Sequence, residues 1–366
     1  MRILHTEWSD GWGGQERRVL SEMTGLAGRG HFVALATRPQ CRIRALAEMA
    51  GLPVLQLPLR SPLDFGSMVS LRRFLRQQNI DIVNTHSGVD SWVGGVTAKW
   101  AGTPILLRTR HLNLALKRGW LNFIHHLPDR IITCGEAIRT QLMTHSRFPA
   151  EQLVSIPTGI DLENFRPRTD RRTVRKNLGA AETDFVILMV GILRSVKGHD
   201  TALKAFQKAC AKIPHARLIL AGDGPLLQAM EELARDLGVS ERVGFLGFRE
   251  DVADLMGAAD VLLLTSRSEG VPQCVTQAMS VELPVVATRV GGVVELIAHE
   301  ETGLLVPPED PEAAADAIVR VHHERDLARR WAARGRTLVE AKYSLKTMLD
   351  RTEELCAGLL SKKKLC

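Results

Sequence analysis

The chain has 366 residues, of which 45% are hydrophobic and 24% charged, so it is long enough for two globular domains with a core each. Its longest apolar run, Phe185 to Leu193, is far short of the roughly 20 residues that cross a bilayer. Six cysteines show no CxxC pair or metal spacing, which excludes a disulfide framework and points to a reducing compartment. The first residues, Met1-Arg-Ile-Leu-His-Thr-Glu-Trp, lack the apolar core of a signal peptide, and a cytoplasmic location is expected. Residues 1–170 carry 21 Lys and Arg against 14 Asp and Glu, whereas the rest carries 27 of each. The whole net charge of +7 therefore sits in the N-terminal half. Such a surface is either simply solvated or meets something anionic, a membrane face or a phosphorylated acceptor. No nucleic-acid partner is expected.

Short apolar strands alternate with helical segments, the pattern of parallel βαβ units. Strands are predicted at Ile3–Thr6, Phe32–Thr37, Val54–Leu57, Ile82–His86, Ile105–Thr109, Arg130–Cys134 and Leu153–Ile156. A polar, basic stretch from Asp161 to Asp184 reads as a linker plus a first helix. Strands then resume at Phe185–Leu193, Arg217–Ala221, Val243–Leu246, Val261–Thr265, Pro284–Ala287 and Gly303–Val306. The fold class is α/β, two doubly wound Rossmann-like sheets with ligands expected at the carboxyl ends of the strands.

The densest chemistry lies between Val261 and Glu295. A buried strand turns through Ser266, Arg267 and Ser268 and presents Glu269, Gly270 and Val271. Pro272 suits the first position of a helix running to Ser280, whose free N–H groups and positive dipole end favour phosphate. Gln277 stands eight positions after Glu269, about two helical turns on, which predicts a shared face. Gly291-Gly292 form a second turn where backbone can approach a ligand closely. One carboxylate, two amide-rich turns and a polar helix face on one strand edge outline a nucleotide-sugar site. Upstream, Lys197 and Arg194 follow the strand Phe185–Leu193, where charge-assisted bonds to a diphosphate are about twice as strong as neutral ones. In the first half, Gly13 and Gly14 follow the first strand, while His86 and His111 end two others. A strand-end histidine serves equally as a structural hydrogen-bonder, and a basic turn as a solvated one.

These residues resemble, in order, the motifs of retaining glycosyltransferases of family 4, the glycosyl transferases group 1. The resemblance spans nearly the whole chain: Gly13-Gly14-Gln15-Glu16, Ile156-Pro157-Thr158-Gly159-Ile160-Asp161, Lys197-Gly198, Ala221-Gly222-Asp223-Gly224-Pro225, Phe245-Leu246-Gly247-Phe248, Glu269-Gly270-Val271-Pro272 and Thr302-Gly303-Leu304-Leu305-Val306-Pro307. It implies a GT-B fold, with an acceptor-side domain (1–165) and a nucleotide-sugar domain (166–344) facing across a cleft. A last helix from Leu345 to Leu360, within 345–366, is implied to cross back to the first domain. The implied catalytic residues are Glu269, Lys197 and His111, the first and last beside the donor sugar, with His86 a second strand-end candidate. Implied donor-binding residues are Gly13, Gly14, Arg194, Phe248, Gly270, Val271 and Gln277. Two positions depart from the family pattern. Ile192 stands where an Arg usually follows the strand-end Gly, so Arg194 is expected to supply the guanidinium; Gln277 stands where a second Glu usually holds the ribose.

The activity implied is retaining transfer of a hexose-type sugar from a nucleotide-diphosphate sugar to a saccharide or glycolipid, a bacterial envelope saccharide such as lipopolysaccharide core. The leaving phosphate is implied to take the acceptor's proton. Neither a cofactor nor a metal is expected, since no Asp-x-Asp motif is present. Two other readings stay open, a GT-B sugar-nucleotide epimerase and a non-catalytic sugar-nucleotide binder. Finally, the stretch from His111 to Arg130 mixes Leu114, Leu116, Trp120, Leu121, Phe123 and Ile124 with Arg110, Lys117, Arg118, His125 and His126. Either it packs into the domain core, or Lys117, Arg118 and Trp120 face an acceptor or an anionic inner membrane.

Overall fold

The computed structural model describes residues 1–111 and 120–365. Lys117 and Arg118 lie outside the described residues, as does the side chain of Trp120. The chain forms two compact units, one of Met1–Gly159 with the segment from Leu345 onward, the other of Ile160–Ser344. The second unit starts at Ile160, before the expected 166, because the Ile160 amide donates to Tyr343 O at 2.8 Å and ties the unit's two ends together.

In the first unit β1 (Arg2–Glu7), α1 (Gly14–Gly28), β2 (Phe32–Thr37), α2 (Arg42–Met49), β3 (Val54–Gln56), α3 (Phe65–Gln77) and β4 (Ile82–Thr85) come first. Then follow α4 (Gly88–Ala101), β5 (Ile105–Arg110), β6 (Arg130–Thr133), α5 (Glu136–Thr144) and β7 (Leu153–Ser155). The seven strands are parallel in the order β3-β2-β1-β4-β5-β6-β7. Their Ile, Leu and Val runs are buried because helices cover both faces of the sheet. β4 stops one residue before the expected His86 because the His86 amide turns to the Asp90 carboxylate at 2.8 Å.

The second unit contains α6 (Arg171–Asn177), β8 (Phe185–Val190), α7 (His199–Cys210), β9 (Ala216–Ala221), α8 (Leu227–Asp236), β10 (Val243–Phe245) and α9 (Val252–Ala258). It continues with β11 (Val261–Leu264), α10 (Gln273–Ser280), β12 (Val285–Thr288), α11 (Val293–Leu296), β13 (Leu304–Val306), α12 (Pro311–His323) and α13 (Arg325–Lys342). The parallel sheet runs β10-β9-β8-β11-β12-β13. β8 ends at Val190, short of the expected Leu193, where the chain peels away. β12 begins after Pro284, which has no N–H to give although its carbonyl accepts the Leu262 amide at 2.8 Å. In each unit the strand order reverses once, between β1 and β4 and between β8 and β11. Those two points are where a doubly wound sheet opens a crevice for ligand.

The last helix, α14 (Leu345–Leu365), packs its Met348, Leu349, Cys356 and Leu359 into the core that holds Val19, Met23 and Leu26 of α1. No described helix is long and apolar enough to cross a membrane. α1 and α14 approach closely because Gly25 has no side chain: a Cβ there would lie 2.5 Å from Leu349 Cδ1. Gly25→Val should therefore destabilise the first unit by about 1–3 kcal/mol through overpacking, read as a lower urea midpoint at unchanged slope.

Candidate functional site

In the second unit the chemistry gathers at the carboxyl ends of β8 and β11. Leaving β8, the chain makes a tight turn over Ser195–Lys197 and enters Gly198 at a φ of +68°. A Cβ at Gly198 would fall 2.1 Å from Thr265 O, so only glycine lets this turn lie on the end of β11. Thr265 Oγ1 donates to Gly198 O at 2.8 Å and closes the contact. Arg267 holds the same turn from the other side. Its amide donates to Val196 O at 2.8 Å, and its guanidinium reaches Ser195 O and the Asp200 carboxylate.

The result is a defined ion pair. Lys197 Nζ lies 2.6 Å from Glu269 Oε1, and Ser266 Oγ donates to the same oxygen at 2.6 Å. Glu269 is 9% exposed. Burial works against the Lys197 charge, but Glu269 and then Cys274 outweigh it and hold its pKa above the ordinary lysine range. Burial pushes the Cys274 thiol up to about 11 despite Lys197 nearby. His199, opening α7, is driven down to about 4 by burial and then by Lys197. Lys197 is thus a fixed positive centre at neutral pH, held against Glu269.

Around it the glycine turn closes. Gly291 has a φ of +47°, and a Cβ there would meet Glu269 O at 1.9 Å; one at Gly292 would meet Gly270 O at 2.1 Å. The Gly291-Gly292 turn therefore lies directly on Glu269 and Gly270, with half-buried Val271 beside it. Pro272 caps α10 rather than starting it: its carbonyl accepts the Val275 amide at 3.1 Å, and the helix begins at Gln273. Glu269 consequently belongs to the loop, and the two-turn count that put Gln277 on its helix face does not apply. Gln277 is half-buried, one turn into α10, and its side-chain amide makes no hydrogen bond among the described residues. The exposed Arg194 guanidinium likewise makes no ion pair or hydrogen bond among them. Phe248 is exposed in the turn after β10. A separate cleft, lined by Arg171, Asp184, Asp260 and Arg325, lies at the opposite, amino-terminal edge of this sheet, away from these groups.

The first unit carries a different set. The Gly13 amide donates to Glu16 Oε2 at 2.8 Å, so the turn before α1 is already engaged by a carboxylate. Exposed Gly14 follows it as the first residue of α1. Glu7, ending β1, accepts from the Trp8 and Ser9 amides and from Gln15 Nε2 at 2.7 Å. Burial, then the neighbouring Asp90, pushes Glu7 up to about 8. Asp90 is itself raised by burial although it accepts from Thr6, His86 and Ser87. At the strand ends a line of rings crosses the sheet. His5 Nδ1 lies 2.9 Å from His86 Nε2, His86 Nδ1 lies 3.1 Å from His111 Nε2, and His111 Nδ1 lies 3.4 Å from Cys134 Sγ. Both ring nitrogens of His111 are therefore taken from within the unit. Burial holds all three rings below the ordinary histidine range, His5 at about 3.

Sequence reasoning brought Glu269 and the Gly-Gly turn to one strand edge and set Lys197 at another strand end; the structure joins them, and it also joins His86 to His111, which were separate strand-end candidates. It missed Ser266 and Arg267, read only as turn residues, and Glu7, His5 and Cys134, which have no local motif. Among the described residues no group of three or more His, Cys, Asp or Glu forms a metal set.

Two parallel doubly wound sheets, one with a basic-acidic pair at its switch point, define an α/β fold class that takes ligands at the carboxyl ends of its strands. Residues 12–164 match the model of Glycosyltransferase Family 4, and residues 170–338 that of Glycosyl transferases group 1. The chain is 30% identical over 308 residues, 79% of each protein, to a GDP-mannose-dependent alpha-(1-6)-phosphatidylinositol monomannoside mannosyltransferase of Mycobacterium tuberculosis. It is 28% identical, over 72% of each protein, to a UDP-Gal:alpha-D-GlcNAc-diphosphoundecaprenol alpha-1,3-galactosyltransferase of Escherichia coli. Its fold matches the crystal structure of Anabaena Alr3699/HepE in complex with UDP at a TM-score of 0.87, with 22% identity over 98% of this chain and 100% of that one. The chain belongs to the family 4 glycosyltransferases, with the GT-B architecture of two such sheets. It is a glycosyltransferase that draws on a nucleotide-sugar donor.

Glu7 makes the pH dependence of the first unit testable. Its folded pKa of about 8 lies above the ordinary 4.5, so its contribution is complete below 4.5 and is lost as pH rises toward 8. In Glu7→Gln the loss of urea stability over that window, at most about 1.4 kcal/mol per pH unit from this group, should disappear. The lowered His5 works in the opposite sense, its contribution being lost as pH falls from 6.5 toward 3.

Proposed function

We propose that the protein is a retaining glycosyltransferase that moves a hexose-type sugar from a nucleotide-diphosphate donor to a saccharide or glycolipid of the bacterial envelope, such as lipopolysaccharide core. The observation that carries this reading is the Lys197–Glu269 pair, held at 2.6 Å where β8 and β11 diverge. In this reading the Lys197 ammonium and the Arg194 guanidinium receive the diphosphate, whose negative charge grows as the sugar–oxygen bond breaks. No metal is assigned. Glu269 orients Lys197 and faces the sugar; Gln277 offers an amide to the ribose, accepting from one hydroxyl and donating to another. Phe248 lies at the base, while Gly270 and Val271 supply backbone to the donor. The leaving phosphate takes the proton of the acceptor hydroxyl as the new sugar–oxygen bond forms. The Escherichia coli relative, named for a sugar-diphosphate-lipid acceptor, supports an envelope glycolipid.

Because Lys197 and Glu269 contact each other, their effects should not add. Lys197→Ala is expected to lose about two orders of magnitude in kcat, and Glu269→Gln a comparable amount. The double variant should be no worse than the poorer single, since either change breaks one unit. Gln277→Glu should be tolerated. Additive losses would mean that the pair acts as two independent groups. Incubation with donor alone, followed by chromatography, separates transfer from epimerisation.

The same reading places the basic half against an anionic membrane face. Leu63, Phe65, Val69 and Trp100 of the first unit are exposed, with Phe65 stacked on Trp100 at 6.2 Å and the Arg72 guanidinium 4.5 Å from the Trp100 ring. Apolar rings beside arginine suit a charged interface, where each cation contributes on the order of 1 kcal/mol. The protein should sediment with anionic but not zwitterionic vesicles. Binding should weaken in high salt and in Lys117→Glu/Arg118→Glu; equal binding to both vesicle types would leave the acceptor soluble.

A further inference from the structure

The line of rings in the first unit has a direction, and the direction comes from one buried arginine. His5 lies within β1, while His86, His111, Cys134 and Thr158 stand just past β4, β5, β6 and β7. These are five neighbouring strands in the order β1-β4-β5-β6-β7, so residues far apart in sequence are set side by side at the carboxyl edge of one sheet. Arg18 of α1, 1% exposed, closes the line: its Nη1 donates to Ile156 O at 2.7 Å and to Thr158 Oγ1 at 3.2 Å.

A guanidinium only donates. Thr158 therefore receives from Arg18 and keeps its own hydroxyl proton to offer the neighbouring Cys134, whose thiol pKa it draws down. Burial pushes the Cys134 thiol above the ordinary range, so it keeps its proton and can pass the bond on to His111 Nδ1, 3.4 Å away. With Nδ1 accepting, the neutral His111 ring carries its proton on Nε2, which faces His86 Nδ1. The same logic puts the protons of His86 and His5 on Nε2. The line ends at His5 Nε2, which has no protein partner among the described residues.

We infer that Arg18, Thr158 and Cys134 are positioning residues that fix His111 as a neutral, Nε2-protonated imidazole, with His86 and His5 holding it in place. The inference deepens the proposed function, since it rests on His111 as the residue beside the donor sugar. It follows that His111 meets a ligand with its ring edge and backbone, both nitrogens being spent, and that it does so in one protonation state across the physiological range. The charged and titratable groups acting on His111 are Arg18 from α1 and Arg110 from β5, with Cys134 and His86 hydrogen-bonded to it. Those on His86 are His5, His111 and Arg18. Arg18 opposes a proton on both rings and Arg110 on His111, while buried Glu22, 3.6 Å from Arg18 Nε, tempers the Arg18 charge.

The test is a long-range proton–nitrogen spectrum of the full chain labelled with nitrogen-15 histidine, followed from about pH 5 to about pH 8, alongside transfer kinetics over the same range. The expected result is Nε2–H signals for His5, His86 and His111 that do not titrate. Cys134→Ala should free His111 Nδ1 to carry the proton, seen as an Nδ1–H signal, and lower kcat/KM by about fivefold, whereas Cys134→Ser, which keeps a donor, stays within about twofold. Thr158→Val should resemble Cys134→Ala, and Thr158→Ser the unmodified protein. In the unmodified protein, an Nδ1–H signal for His111 or its titration near the ordinary value overturns the inference, as does equal behaviour of the Ala and Ser variants. If no variant transfers sugar yet the spectra are as expected, the positioning line stands and the transfer reading falls.

Discussion

The second unit depends on one steric constraint: two glycine turns pressed against the backbone that follows β11. Gly198 lies on Thr265, and Gly291-Gly292 lie on Glu269 and Gly270, at separations that leave no room for a Cβ. Neither contact is a strong interaction. Together they set the height of Lys197 above Glu269, and hence the 2.6 Å between the two charges. Arg267 locks the arrangement with a bond from its amide and two from its guanidinium. Precision of this kind comes from packed backbone rather than from the charges themselves, whose attraction would tolerate many geometries.

The two units handle polarity in opposite ways. The second holds the Lys197 charge against Glu269, which suits a ligand whose own charge grows during reaction. The first buries Glu7 and its three strand-end histidines and renders them neutral: Glu7 holds its proton, and His5, His86 and His111 shed theirs. Neutral groups in a hydrogen-bonded line cost less to bury than ions, and they specify direction through donor and acceptor roles. The Gly13 turn lies in the same unit. Its amide is engaged by Glu16, so any ligand that approaches there competes with a carboxylate.

Much of the fold was legible because parallel strands covered on both faces appear as short, nearly continuous apolar runs. All thirteen strands among the described residues lie where those runs stand, with ends trimmed by local chemistry, as where Asp90 captures the His86 amide or Pro284 lacks one. Lys197, Glu269 and the Gly-Gly turn were legible because they sit in local motifs next to predicted strand ends. The helical count that joined Glu269 to Gln277 failed because Pro272 caps α10, leaving Glu269 in a loop whose path no helical period describes. Arg267 was hidden because its role depends on Ser195, Val196 and Asp200, some seventy residues away.

The sequence by itself determined the two α/β halves, the strands and the residues available at their tips, since these follow from local hydrophobic pattern and from glycine, proline and charge at fixed spacing. Only the tertiary structure decided which tips are neighbours. The order β1-β4-β5-β6-β7 is a product of crossover connections, and it alone puts His5, His86, His111, Cys134 and Thr158 in one line. A residue's donors and acceptors are written in its side chain. Whether they point along a common path depends on strand register and on the buried Arg18 that gives that path its direction.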